Sequence, residues 1–302
     1  MSTRLTRRAF LTTTAGVALV VAGCSSTKPG AVADDGSVTV AHVFGETRIP
    51  APPKRVVSAG LTGQDDLLAL GVIPVAVTVW FGGEPFGVWP WAQPILGDAE
   101  PTVLSLADGV AVDQIGALRP DLIVATNAGL DQETYARLSA IAPTVAQSGR
   151  HAFFEPWQDQ AATIGQAVFK HDDMQALIAS VESKFTAVAE ANPQFAGTRV
   201  LLLAGALRDG EPQPLTPRWR NDFLSQMGFG VADGVDDADL LIWATESDEE
   251  QAALLADPWV AQSGKRNLFT GKQLAGAIAF ASPLSYPVVA DQLPARIAAA
   301  LA

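Results

Sequence analysis

The chain has 302 residues, with 20 basic side chains against 32 acidic ones and a single cysteine. That acidic excess excludes the basic face a nucleic-acid binder needs, and one cysteine excludes a disulfide framework. The N-terminus, MSTRLTRRAFLTTTAGVALVVAGC, opens on Arg4, Arg7 and Arg8, continues in an apolar run from Ala15 to Ala22, and reaches small residues just before Cys24. This is the layout of an export signal, with an apolar run too short to span a bilayer comfortably. Thr6-Arg7-Arg8-Ala9-Phe10-Leu11 resembles the twin-arginine export motif. Val21-Ala22-Gly23-Cys24 resembles a bacterial lipobox, whose cysteine is lipidated and becomes the first residue of the mature protein. Residues 1–23 are thus expected to be a signal peptide and Cys24 the attachment to the cell membrane, because two acyl chains suffice for stable anchoring. Without the signal, 17 basic residues face 32 acidic ones, a net of −15 that is read as solubility. Residues 24–36 are small and polar, with Pro29 and Gly30, and are expected to form a flexible tether.

Ser37–Phe44 alternates as a strand does, and Glu46–Ile49 continues it as a hairpin. After Pro50, Pro52 and Pro53, short apolar strands alternate with helical patterns. Strands are expected at Arg55–Ser58, Val75–Trp80, Asp121–Thr126 and Thr144–Gln147, with helices opening at Gln64 and over Asp113–Leu118 and Gln132–Ile141. Two helical stretches follow, Trp157–Phe169 and Asp172–Ala191. In the second, Met174, Leu177, Ile178, Val181, Phe185 and Val188 recur at three-to-four spacing and form one stripe. The strand–helix pattern then restarts with a strand at Arg199–Ala204, a Gly/Pro-rich loop from Gly205 to Pro217, and a helix at Asn221–Met227. Strands at Asp239–Thr245 and Asn267–Thr270 come next, and an amphipathic helix at Pro287–Leu301 ends the chain.

The two halves echo each other. RVVSAG then QDDLLALG in the first answers RVLLLAG then NDFLSQMG in the second, and PDLIVAT answers ADLLIWAT. The expected fold class is α/β: two Rossmann-like lobes, residues 37–156 and 197–302, joined through helices in 157–196, with a ligand cleft between the C-terminal ends of the two sheets.

FGETRIPAPPKRVVSAG (44–60), DDLLALGVIPVAV (65–77), DQIGALRPDLIVAT (113–126), YARLSAIAPTV (135–145), DFLSQMGF (222–229), DADLLIWAT (237–245) and SPLSYPVVADQL (282–293) together resemble the class III periplasmic binding proteins. The match is to their iron–siderophore (FecB/FepB/FhuD-like) branch, which also holds cobalamin and haem binders. The resemblance implies a monomer with two lobes on one long connecting helix and small opening motions. It implies capture of a ferric siderophore outside the cytoplasmic membrane and delivery to an ABC permease dimer. It also implies one acidic residue at the first helix of each lobe docking on permease arginines, and those positions fall on Asp65 and Asp222. The sequence departs from the branch where an arginine is usual near residue 97 and Gly97-Asp98-Ala99-Glu100 stands instead, and in a short stretch between Gly230 and Asp239.

Five aromatic residues crowd the loop Trp80–Trp91 with no helical or strand period, which suits stacking on a flat ligand. Trp80, Phe81, Trp89 and Trp91 are candidates from it. Arg208, Arg218, Trp219 and Arg220 lie in the corresponding loop of the second half, where guanidinium forks suit an anionic chelate. Arg150 and His151, with Phe153 and Phe154, precede the connecting helices, and Phe280 and Tyr286 lie in a late loop that often faces ligand in this branch. No resident cofactor is expected. Haem is the runner-up ligand, with His151 or Tyr286 as axial group, followed by cobalamin; a surface lipoprotein without a transport role is a further alternative. Three widely spaced histidines disfavour a protein-only metal site, and no nucleophile-and-base motif points to an enzyme.

Overall fold

The computed structural model describes residues 28–302. The expected signal peptide and Cys24 lie outside the described residues. An antiparallel hairpin, β1 (Val38–His42) and β2 (Gly45–Ile49), begins the fold. Next come β3 (Val56–Ser58), α1 (Gly63–Ala69), β4 (Ala76–Val79), α2 (Gln93–Leu96), β5 (Thr102–Ser105), α3 (Val112–Ala117), β6 (Leu122–Ala125), α4 (Gln132–Ser139) and β7 (Thr144–Ala146). Their five strands form one parallel sheet in the order β5-β4-β3-β6-β7. Every residue of β3 and β6 is buried, as strands covered by helices on both faces require.

Two helices follow, α5 (Trp157–Ala167) and α6 (His171–Ala191). The 21 residues of α6 make a rod of roughly 30 Å. Its buried stripe serves both halves: Met174 and Ile178 join the core around Val38, Val124 and Ile164, whereas Val181 and Phe185 join the core around Leu202, Phe223 and Leu293. Asp172 and Asp173 in its first turn complement the helix dipole.

The second half comprises β8 (Arg199–Arg208), β9 (Glu211–Pro214), α7 (Asp222–Gln226), β10 (Gly230–Val231), β11 (Leu240–Ala244), α8 (Asp248–Ala256), α9 (Pro258–Gln262), β12 (Arg266–Phe269), α10 (Gly271–Phe280) and α11 (Tyr286–Leu301). Its sheet runs β10-β8-β11-β12 in parallel, with β9 antiparallel to the far end of β8. No helix among the described residues is long and apolar enough to cross a membrane.

The echoed segments occupy equivalent places. Val56 pairs with Leu122 and Val200 pairs with Leu240. The carboxylate of Asp121 accepts the Arg55 amide at 2.7 Å, and that of Asp239 accepts the Arg199 amide at 2.8 Å. Gly60, two residues beyond β3, and Gly205, inside β8, have no room for a side chain: a Cβ on Gly60 would lie 1.7 Å from the Thr126 carbonyl oxygen, and one on Gly205 would lie 2.6 Å from that of Ala244. Each glycine marks the point where strand order reverses within its sheet, the place where α/β folds open a crevice.

Two expectations need correction. The sequence predicts a flexible tether over 24–36, of which 24–27 lie outside the described residues and 28–36 lie on the body. Asp35 accepts from Ser37 and Arg48, and Gly30 packs against the His171 ring. The Gly/Pro-rich loop from Gly205 is instead the continuation of β8, which turns at Asp209-Gly210, both at positive φ, into β9. Asp-Gly is a hairpin signal of known kind.

Candidate ligand cleft

The loop from Trp80 to Trp91 leaves the end of β4 and crosses to the second lobe. Trp89 is 1% exposed, stacked on Trp91 with ring centroids 5.0 Å apart and planes 7° from parallel. Its indole lies over Gly276 of α10, where a Cβ would come within 2.4 Å of a ring carbon, so only glycine leaves space for it. Lys272 of the same helix pairs with Glu84 at 2.7 Å and sits 5.7 Å from the Trp89 ring centroid.

Below this contact, Asp65 Oδ2 accepts from Trp91 Nε1 at 2.8 Å and from Ser282 Oγ at 2.7 Å. Ser282 belongs to the α10–α11 turn, so its bond ties the first lobe to the second, while the Trp91 bond holds the carboxylate in place. Burial pushes the Asp65 carboxyl up to about 6, against the lowering effect of those hydrogen bonds. Asp66 is pushed well above the ordinary range by burial, with the charges of Asp65 and Glu155 adding to the effect. Burial also raises Glu155. A chain of buried hydrogen bonds runs beside these acids. Asn127 Nδ2 donates to Thr62 Oγ1 at 3.0 Å, Gln160 Nε2 donates to the same oxygen at 3.1 Å, and Gln160 also donates to Asp66 at 2.7 Å.

Between the lobes remains a cavity of about 30 Å³. Thr62, Asn127, Glu155 and Gln160 line one side, Trp219, Arg220, Phe280 and Tyr286 the other, with Phe154 and Trp157 at its end. That is room for a water molecule or so, far below the ~300 Å³ at which small-molecule sites begin. The described conformation is closed. Rings fill the rest of the gap: Trp80 lies 5.4 Å from Phe154 and 6.1 Å from Phe280, and Phe81 lies 5.3 Å from Trp89.

Trp80, Phe81, Trp91 and Phe280 are thus gathered into one cluster at the lobe junction. Trp89 is gathered too, but as a buried wedge with no free face. Trp219 packs on His151, ring centroids 4.3 Å apart, and donates from Nε1 to the Phe154 carbonyl at 2.8 Å. Arg220 stands 4.3 Å over the Phe154 ring. It forms no ion pair among the described residues, and burial lowers its pKa. The other arginines do not converge with it: Arg150 is exposed, Arg208 stands exposed beside the β8–β9 turn, and Arg218 is paired with Asp233 at 2.7 Å. Tyr286 is buried among Trp157, Phe185 and Phe223, and burial drives its hydroxyl far above the usual phenol range.

The two acids expected to dock on a permease part company. Asp222 is exposed at the start of α7. Asp65 has no exposed surface, with one oxygen committed to Trp91 and Ser282 and the other unpartnered, so it offers no carboxylate to a partner in this conformation. The polar lining of Thr62, Asn127, Glu155 and Gln160 was missed in the sequence. Thr62 and Asn127 were within reach, because they follow the ends of β3 and β6, where the switch-point rule puts ligand contacts.

The sequence model described as periplasmic binding protein matches residues 56–250. The chain belongs to that family. This periplasmic binding protein is 62% identical to a periplasmic solute binding protein of Mycobacterium smegmatis of known crystal structure, which covers 89% of this chain and 100% of its own, with a TM-score of 0.87. It is 29% identical over 220 residues to the putative ABC transporter substrate-binding lipoprotein YhfQ of Bacillus subtilis (72% of this chain, 65% of that one). It is 32% identical over 172 residues to the probable siderophore-binding lipoprotein YfiY of the same organism (55% of this chain, 50% of that one). The chain therefore spans between half and two thirds of the length of these curated relatives. The family consists of binding proteins, not enzymes, in agreement with the absence of catalytic motifs from the sequence.

Proposed function

We propose that this protein is the extracytoplasmic receptor of an ABC importer for an iron(III)–siderophore complex, held at the membrane through lipidated Cys24. The observation that carries the reading is the junction itself. Thr62 and Asn127, just beyond the ends of β3 and β6, line it, aromatic rings wall it, and Arg220 is a half-buried cation without an acidic partner among the described residues. Anionic, partly aromatic chelates match such a lining in charge and in shape. Relatives named as siderophore-binding and Fe(3+)-citrate-binding proteins support the same class. The haem alternative loses one of its two axial candidates, because Tyr286 is buried and its phenolate disfavoured, and rests on exposed His151. Asp222 is the docking acid in this reading, and lobe one must use another residue while Asp65 stays enclosed.

Titration of the mature chain with ferric catecholate, hydroxamate and carboxylate siderophores, haem and cobalamin, followed by tryptophan fluorescence, tests the proposal. At least one ferric siderophore is expected to quench Trp80 or Trp219. Saturation by haem alone, with a Soret shift, refutes the siderophore reading. Separately, Cys24→Ala is expected to release the protein from the membrane fraction.

A further inference from the structure

Phe154 occupies the left-handed backbone region, at φ 56°, which a bulky residue rarely adopts unless its surroundings hold it there. Here both of its flanking peptide groups are held from opposite lobes. Its N–H donates to Asn127 Oδ1 at 2.9 Å, and its carbonyl accepts from Trp219 Nε1 at 2.8 Å. The ring projects into the junction, with Trp80 of the first lobe 5.4 Å away and the Arg220 guanidinium of the second 4.3 Å from its centroid. Arg220, the one arginine among the described residues on the cavity wall, thus has an aromatic face as its partner and, among those residues, donates otherwise only to the Thr216 carbonyl, at 3.3 Å.

We infer that Phe154 is a displaceable plug standing where a ligand's aromatic ring lies, so that the site is built for a flat ring carrying anionic oxygens, such as the catechol of an iron(III) chelate. The inference rests on the cleft reading above and narrows it to aryl chelates. A ring in place of Phe154 keeps the contacts with Trp80 and Arg220 and adds oxygens that accept from the guanidinium fork, which phenylalanine lacks. Swinging out lets Phe154 leave its unfavourable φ. The parent protein binds with an affinity lowered by the fraction of molecules whose plug is out.

The test uses the mature chain and two probes: iron(III) complexed by 2,3-dihydroxybenzoate, and iron(III) citrate, which has anionic oxygens and no ring. Phe154→Ala is expected to bind the aryl complex about tenfold more tightly than the parent, with citrate unchanged. Arg220→Gln is expected to lose roughly tenfold toward both probes. Phe154→Leu, which keeps most of the side-chain volume, is expected to shift as alanine does but by less, and stands in if the alanine variant fails to fold. Weaker aryl binding by Phe154→Ala makes the ring a wall rather than a plug and overturns the inference, as does an equal gain for both probes. Citrate binding without any aryl binding overturns the inference and leaves the proposed function standing. No binding of either iron complex by any of the proteins overturns the inference, and failure of every ferric siderophore in the titration above overturns the proposed function as well.

Discussion

Asp65→Asn isolates the energetics of the lobe-to-lobe tie. In the closed structure the Asp65 carboxyl sits at about 6 rather than its ordinary 3.8, because burial outweighs the hydrogen bonds from Ser282 and Trp91. A raised carboxyl binds protons more tightly in the folded state than in the unfolded one. Its stabilisation is therefore complete below pH 3.8, falls as pH rises toward about 6, and is level above that. A shift of this size corresponds to about 3 kcal/mol, at 1.36 kcal/mol per pH unit. Asparagine mimics the protonated acid: its Oδ1 accepts from Trp91 and Ser282, and its Nδ2 takes the place of the oxygen that has no partner. Urea unfolding of parent and variant at pH 4 and pH 7 supplies the comparison. Glu155 shifts in the same direction and Asp131 in the opposite one, and these contributions largely cancel between the two proteins; Asp66, raised mainly by burial and in smaller part by the Asp65 charge, loses only that smaller part in the variant. Because pH 4 lies close to the unfolded value, the variant is expected to gain about 2 of the roughly 3 kcal/mol relative to the parent between the two pH values. A difference that stays flat with pH refutes the reasoning, because it means that Asp65 is hydrated in solution and the lobes are not tied there.

Gly276→Ala drives a Cβ to within 2.4 Å of the Trp89 indole, so the clasp must open or shift; a loss of about 1–3 kcal/mol and a red-shifted tryptophan emission are expected. Phe185→Ala empties the point where α6 enters the second core and is expected to cost about 3–5 kcal/mol in chemical denaturation. Asp222→Lys is expected to abolish iron uptake in cells while leaving chelate affinity measured on the purified chain unchanged.

Much of the fold was legible because its strands and its strut obey simple periods. Val56–Ser58 and Leu122–Ala125 are covered on both faces and read as continuous apolar runs, and α6 carries one stripe at helical spacing. The elements missed have no such signature. In α10, Leu274 to Ile278 and Phe280 are all buried, so no polar face marks the helix. The Trp80–Trp91 loop was recognisable as unusual, but its composition fits a ligand platform and a lobe clasp equally well. What separates the two is Gly276, nearly two hundred residues away, whose missing side chain makes a slot for Trp89. Arg208 belongs to the cleft only if β8 stops at Ala204; four more strand residues carry it to a hairpin turn.

The duplication is faithful where the backbone is concerned and breaks where side chains meet the outside. Asp121 and Asp239 serve the same amide, and Gly60 and Gly205 bar the same Cβ, yet Asp65 turns into the junction whereas Asp222 remains in solvent. A buried carboxylate is costly, so its retention needs a return. The return on the page is a tie to Ser282 that helps close the lobes around the cleft. Opening the cleft hydrates Asp65 and frees it for any partner that recognises acids, so closure and exposure of this acid are two sides of one equilibrium. A ligand that props the lobes apart and a partner that pulls on Asp65 would then favour the same open state, each strengthening the other's hold.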